Sequence, residues 1–252
     1  MMDREDQFAA PMMCAIKTGK DMIVAEFIRA GWSPTMITME VYLDDKDEWI
    51  YPLQVAIING FFNIVVMLVT ANADIEAEGA DFLSPLCEAV RHGRVEIVDY
   101  LLGAGCDVER VCTNFIELDV SPLWLASSAG NEQIVARLIR AGADINEQTE
   151  HSTDDDPITF SGELWFDYYT STPLWVASSH GHVNVVQMLL EAGSDITYKC
   201  NIYKFHSEIT PWCSVIEIAL KNNHLEVYDT LLRYQSLLRY QHLLSSSGFV
   251  FY

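Results

Sequence analysis

Residues 121–145 read SPLWLASSAGNEQIVARLIRAGADI, and residues 172–196 read TPLWVASSHGHVNVVQMLLEAGSDI. The two stretches align without a gap. Two further copies align with them, YPLQVAIINGFFNIVVMLVTANADI from Tyr51 and SPLCEAVRHGRVEIVDYLLGAGCDV from Ser84. Weaker copies flank the four: PMMCAIKTGKDMIVAEFIRAGWS from Pro11 and VIEIALKNNHLEVYDTLLRYQ from Val215. Six copies of one unit are therefore read, and a repeat of this kind decides the architecture before any single motif does.

Each copy has a local physical meaning. Ser84, Ser121 and Thr172 supply the hydroxyl favoured at a helix N-cap, and the proline behind each suits the first helical position. Four residues beyond that proline stands Ala15, Ala56, Ala89, Ala126, Ala177 or Ala219, a small side chain where a neighbouring helix comes close. Gly19, Gly60, Gly93, Gly130 and Gly181, with Asn223 in the last copy, end the first helix in the left-handed conformation. Counted from that residue, positions +4, +5, +8 and +9 are apolar in all six copies. In a half-apolar chain this would arise by chance on the order of once in ten million, so a second amphipathic helix is secure. Gly31, Gly105, Gly142 and Gly193, with Asn72 in the second copy, stop that helix. The unit is helix, tight turn, helix, stop. Its apolar face cannot be buried alone, so copies must stack.

This pattern resembles the ankyrin repeat, whose core reads Thr-Pro-Leu-His-x-Ala-Ala, then Gly-His, Ile-Val, Leu-Leu and Gly-Ala-Asp. The resemblance covers roughly residues 11–235 and is most specific in the middle four copies. It implies an all-α solenoid of six helix-turn-helix repeats with projecting hairpin loops, and a non-catalytic role in binding other proteins. The repeat domain is placed at 11–244, with repeats near 11–35, 51–80, 84–110, 121–147, 172–198 and 215–235, between tails at 1–10 and 245–252. Leu237, Leu238, Leu243 and Leu244 can extend a capping helix over the last repeat, since a terminal repeat lacks one neighbour.

The chain departs from the family in its spacing. Successive marker prolines lie 41, 33, 37 and 51 residues apart, so extra residues sit between repeats, near 33–50, 109–120, 147–171 and 197–214. Insertions in a stack cluster on one face, often the binding face. The richest, EQTEHSTDDDPITFSGELWFDYYTS at 147–171, has seven acidic residues and no lysine or arginine. Asp154, Asp155 and Asp156 precede Phe160, Trp165, Phe166, Tyr168 and Tyr169, and ITFSGELWF can form a hairpin turning at Ser161-Gly162. Three readings are open: the rings pack on adjacent repeats, they grip a basic peptide through contact area and cation–π attraction, or the segment is disordered. The stretch 40–51 repeats the theme with Asp44, Asp45 and Trp49, and the two loops can form acidic walls of one groove.

The family histidine after Pro-Leu is replaced by Gln54, Cys87, Trp124 and Trp175, which either pack inside or form a ligand-facing pair at the tryptophans. In ankyrin-like stacks the late positions of the first helix face the groove. Carried over, they nominate Asn59, Arg91, His92, Ser128, Ser179 and His180 as partner-binding residues. LIRAGADIN, ending at Asn146, resembles the ankyrin loop context recognised by asparaginyl hydroxylases, which makes Asn146 a candidate modification site; alternatively it simply stabilises the turn.

No phosphate loop, nucleophile elbow or zinc-binding His-Glu-x-x-His occurs, so no catalytic, cofactor or metal site is expected. Acidic residues outnumber basic ones 36 to 15, a formal charge of −21 that disfavours nucleic acid or an anionic membrane as partner. Six cysteines without a Cys-x-x-Cys pair read as reduced thiols, and the acidic N-terminus does not read as a secretory signal. A cytoplasmic or nuclear monomer is expected, binding a protein that carries a basic segment. The rivals are a substrate-recognition subunit of a ubiquitin ligase, and an enzyme assembled from the inserted loops.

Overall fold

Residues that begin a helix with a side-chain acceptor recur through the chain, and they start the helices observed. The Ser84, Ser121, Thr172 and Ser214 hydroxyls accept from the backbone N–H groups of Cys87, Trp124, Trp175 and Glu217 at 3.2–3.3 Å. The computed structural model describes residues 4–34, 39–43, 46–79, 83–110, 112–113, 119–152, 167–200, 202–204 and 213–246. Among them twelve helices follow in consecutive pairs: α1 (Arg4–Lys17) and α2 (Asp21–Arg29), α3 (Pro52–Asn59) and α4 (Phe62–Thr70), α5 (Pro85–Arg91) and α6 (Val95–Gly103). The later pairs are α7 (Pro122–Ser128) and α8 (Glu132–Ala141), α9 (Pro173–His180) and α10 (Val183–Glu191), and α11 (Val215–Lys221) and α12 (Leu225–Ser246).

The punctuating residues behave as their type demands. The nine glycines read above as helix stops, and Asn72 and Asn223, have positive φ between 62° and 97°. At Gly130 and Gly181 the requirement is double. A Cβ there would lie 2.5 Å from a ring nitrogen of His182 or His224, which packs over the turn from the following pair.

The chain divides into two compact units, Met1–Glu117 and Leu118–Tyr252. In the first, α1, α3 and α5 pack in sequence, as do α2, α4 and α6; in the second, α7, α9 and α11 form one row and α8, α10 and α12 the other. Ala15, Ala56, Ala89, Ala126, Ala177 and Ala219 are all buried. So are Ile64, Val65 and Leu68, and their counterparts Ile97, Val98 and Leu101, Ile134, Val135 and Leu138, and Val185, Val186 and Leu189. Each such side chain contributes about 1.5–3 kcal/mol relative to exposure.

Short antiparallel ladders occupy the insertions. Strand β1 (Met39–Leu43) pairs with β2 (Lys46–Ile50), Leu43 standing opposite Lys46. Cys112–Thr113 and Asp119–Val120 are β3 and β4. Strand β5 (Thr149–Ser152) pairs with β6 (Asp167–Ser171), which also pairs with β8 (Ile202–Lys204); β7 (Lys199–Cys200) pairs with β9 (Cys213–Ser214).

Three features differ from the expectations. Helix α1 begins at Arg4, so Pro11 sits inside it instead of opening it, and the first helix runs through part of the proposed tail. Helix α12 continues without a break to Ser246, as the leucine pattern suggests, but Leu237 and Leu243 are 59% and 62% exposed and do not cap the stack. Cys87 is disulfide-bonded, which corrects the reading of six reduced thiols, while Cys14, Cys106, Cys200 and Cys213 are free.

Candidate functional site

After three of the marker prolines, the second residue reaches to the start of the next repeat. Trp175 is fully buried, and its Nε1–H donates to the Cys213 carbonyl at 3.1 Å. Trp124 is buried too, and its Nε1–H donates to Ser171 Oγ at 2.8 Å. Ser171 and Cys213 each immediately precede the N-cap of the next helix pair. Gln54 makes the corresponding link in the first unit: its Nε2 donates to Leu83 O at 2.9 Å, and Leu83 precedes the N-cap Ser84. These side chains thus reach to the last residue before the next repeat. The interior alternative holds at both tryptophans, and the ligand-facing one does not. A buried polar group left unpaired is costly, which explains why each tip finds a carbonyl or hydroxyl.

From those roots the longest insertion rises as a sheet. Thr149 stands opposite Ser171, and both are buried; its hydroxyl donates to Ser171 O at 3.4 Å. Tyr198 steadies the outer part, its hydroxyl lying 2.9 Å from both Thr170 O and Thr170 Oγ1. The register aligns Ser152, Tyr168 and Tyr203 in one cross-strand row, and His151, Tyr169 and Ile202 in the next. Asp167 stands opposite Lys204. The insertions at 147–171 and 197–214 therefore fold together, which was not legible in the sequence because a three-residue strand has too little alternation to declare itself. Asp154, Asp155, Asp156, Trp165 and Phe166, the Ser161-Gly162 turn, and Asp44 and Asp45 lie outside the described residues. Trp49 stands on β2 opposite Glu40.

The residues late in the first helices fall into two groups. Asn59, Arg91 and His92 are exposed; Ser128 and His180 are half-buried. Ser179 is buried and serves the backbone: its hydroxyl donates to Val176 O at 2.8 Å, and its carbonyl accepts from Asn222 Nδ2 at 2.8 Å and faces His224 Nε2 at 2.9 Å. Ser128 offers its carbonyl to His182 Nε2 in the same way, at 2.9 Å. The ring of His182 stacks on that of His180, with centroids 5.9 Å apart. Burial, foremost, holds the His182 imidazole below its ordinary pKa, with smaller contributions of the same sign from His180 and His224; the Ser128 hydrogen bond opposes them. Burial likewise lowers His92, aided by Arg91 and Arg94, although Glu88 Oε2 lies 3.3 Å from its ring. Partial desolvation and two neighbouring cations together hold the ring below its ordinary pKa.

Within each unit, a loop after a second helix is tied to the corresponding loop of the next pair. Asn146 is exposed, and its N–H donates to Asp144 Oδ1 at 2.9 Å while its Oδ1 accepts from Asp195 N–H at 2.8 Å. Glu76 does the same in the first unit, its Oε1 accepting from Asp107 N–H at 2.8 Å. The Asn146 side chain thus ties its loop to that of the next repeat. Among the described residues no group of three or more His, Cys, Asp or Glu side chains is placed to hold a metal ion, and no helix is long and apolar enough to cross a membrane.

Comparison with known proteins agrees with this geometry. A family model described as ankyrin repeats (3 copies) matches residues 12–112, 53–149 and 86–200. An ankyrin repeat and KH domain-containing protein, mask-1, of Caenorhabditis elegans is 33% identical over 196 residues, covering 77% of this chain and 6% of its own. Alpha-latrocrustotoxin-Lt1a of Latrodectus tredecimguttatus is 27% identical over 77% of this chain and 13% of its own. Ankyrin repeat and SOCS box protein 5 of Mus musculus is 29% identical over 47% of this chain and 29% of its own. The chain thus spans less than a third of the length of these relatives.

Proposed function

This chain belongs to the ankyrin-repeat family, and on that premise we propose that it is a non-catalytic protein-binding scaffold that recognises a partner carrying a basic segment. The proposed contacts are the exposed late positions of the first helices, Asn59, Arg91 and His92, with Ser128 and His180, and the acidic, aromatic insertions. In those insertions Asp44, Asp45 and Trp49 form one set, and Asp154, Asp155, Asp156, Trp165, Phe166, Tyr168 and Tyr169 the other. Ser179 acts from beneath this surface by fixing Asn222 and His224.

One observation carries the reading. The insertion at 147–171 is closed at its base by Thr149 on Ser171, is anchored to a repeat helix by Trp124 on Ser171, and shares a sheet with the next insertion. A segment fixed at its base loses less conformational freedom on binding, and preorganisation of this kind favours association. Opposite charge on a partner would steer association and set register.

The test compares the full chain with a variant in which 153–166 is replaced by a short Gly-Ser linker. That replacement leaves β5, β6 and β8 in place. A fluorescent Lys/Arg-rich peptide with interspersed leucines is titrated at low and high ionic strength. The full chain should bind at least tenfold tighter than the variant, and its affinity should fall as salt rises. Equal affinities, or no salt dependence, would defeat the proposal.

A second reading, a substrate-recognition subunit of a ubiquitin ligase, is favoured by the match to the ankyrin repeat and SOCS box protein over 118 residues. Co-purification of ligase subunits with the chain would support it; their absence would argue against it. Asn146 is proposed in addition as an asparaginyl-hydroxylase substrate, to be checked by added oxygen mass after enzyme treatment.

A further inference from the structure

We propose that Cys200 and Cys213 form a modification site, a facing dithiol that a peroxide closes into an intramolecular disulfide across β7 and β9. The two residues are direct partners in the antiparallel ladder, and both are free thiols. Directly opposed residues of an antiparallel pair have Cα atoms about 4.5 or 5.5 Å apart, according to their place in the ladder. Both values lie within the roughly 4.4–6.8 Å that a disulfide bridges without backbone movement. The pair is well fixed. Trp175 holds the Cys213 carbonyl, and Ser214 is locked as N-cap of α11 by hydrogen bonds to Glu217 Oε2 at 2.8 Å from both its N–H and its hydroxyl. Cys200 is fully buried, whereas Cys213 is partly exposed.

That asymmetry assigns the roles. The Cys213 thiol loses its proton, and the thiolate sulfur attacks one oxygen of hydrogen peroxide. The O–O bond breaks, and the departing hydroxide takes up a proton to leave as water, giving a sulfenic acid on Cys213. The Cys200 sulfur then attacks the Cys213 sulfur; the S–S bond forms, the S–O bond breaks, and the hydroxyl leaves with the Cys200 proton as a second water. Two thiols are oxidised and one peroxide is reduced. Burial raises both thiols, Cys200 to about 12, with each further raised by a nearby group: Cys200 by Cys213, and Cys213 by Glu217. Closure is therefore slow at neutral pH and accelerates as pH rises, because the thiolate is the nucleophile. The loop it closes contains β8, the third strand of the β5–β6–β8 sheet, so oxidation ties together the two ends of the segment that carries that strand. This chemistry stands whether or not the sheet binds a basic partner.

The test uses the full chain treated with hydrogen peroxide at pH 7 and pH 8.5, then digested without reduction. A cross-linked peptide joining Cys200 and Cys213, lighter by two hydrogen atoms than its parts, is expected, forming several-fold faster at the higher pH. It should be lost in Cys213→Ser and kept in Cys14→Ser. Phenylarsine oxide, which needs two facing thiols, should bind the untreated chain one-to-one and fail on Cys213→Ser. A peroxide-treated chain carrying only sulfinic acid at Cys213 or intermolecular bonds through Cys14, or an arsenical that binds Cys213→Ser as well as the parent, would overturn the assignment.

Discussion

Helix pair α9–α10 and the β5–β6–β8 sheet belong to the same compact unit but are held by different means. The pair buries Leu174, Trp175, Val176, Ala177, Val185, Val186, Leu189 and Leu190, and its turn is set by one left-handed glycine. The sheet is held otherwise. It depends on backbone ladders and on anchors from the repeats, the indole of Trp124 and the hydroxyl of Tyr198. Stability is therefore concentrated in the pairs and transmitted to the insertions through single side chains. Such a division suits a surface that varies while its support does not.

The largest expected effect would come from cutting the anchor at the centre of that division. Trp175→Ala removes the fully buried indole, and its cost should be about 3–5 kcal/mol in urea unfolding. Trp175→Phe keeps most of the volume and loses the bond to Cys213 O, so about 1–2 kcal/mol is expected. If the smaller change left amide protection at 213–214 untouched, the indole would not be the link between pair and ladder.

Glycine turns sharpen the contrast next. Gly181→Ala must strain a φ of +80° and displace the His224 ring, and about 2–4 kcal/mol should be lost. Gly142 has a φ of +96° but nothing within 4 Å of where a Cβ would stand, so Gly142→Ala should lose only about 1–2 kcal/mol. Equal losses, measured by the same urea titration, would show that backbone conformation alone governs these positions.

These effects also explain what could be read from the chain beforehand. Alanines, glycines and the +4, +5, +8 and +9 apolar positions answer to sterics and burial that act within one unit, so they were legible by aligning copies. The N-cap hydroxyls were legible for the same reason. The insertions answer to register between residues up to 37 positions apart, as with Asp167 opposite Lys204, and no periodicity within either segment records that. Trp124 and Trp175 were ambiguous because a tryptophan at a former histidine position fits a core or a binding face equally. Only the position of the indole N–H against Ser171 and Cys213 separates the two. A ladder-side change should accordingly be milder: Tyr198→Phe removes a hydroxyl shared with Thr170, and about 0.5–1.5 kcal/mol is expected, read as lost amide protection at 168–170 with the helices unchanged.

The smallest expected effect concerns acid. Because burial holds His182 below its ordinary pKa in the folded chain, the unfolded chain binds its proton more readily over the interval between the two values. Stability then rises with pH through that interval. It is fully present above the unfolded value, near 6.5, and is lost as pH falls toward the lowered folded one. His92 contributes with the same sign, burial again being the main cause. The neutral His182 ring can still donate its Nε2 proton to Ser128 O, so the linkage reflects the charge and not the hydrogen bond. His182→Asn should therefore lower stability modestly at pH 7.5 but flatten the decline between pH 7 and pH 5 in urea midpoints. An undiminished acid-side slope in that variant would move the titrating group elsewhere, and the turn histidines would then be packing groups alone.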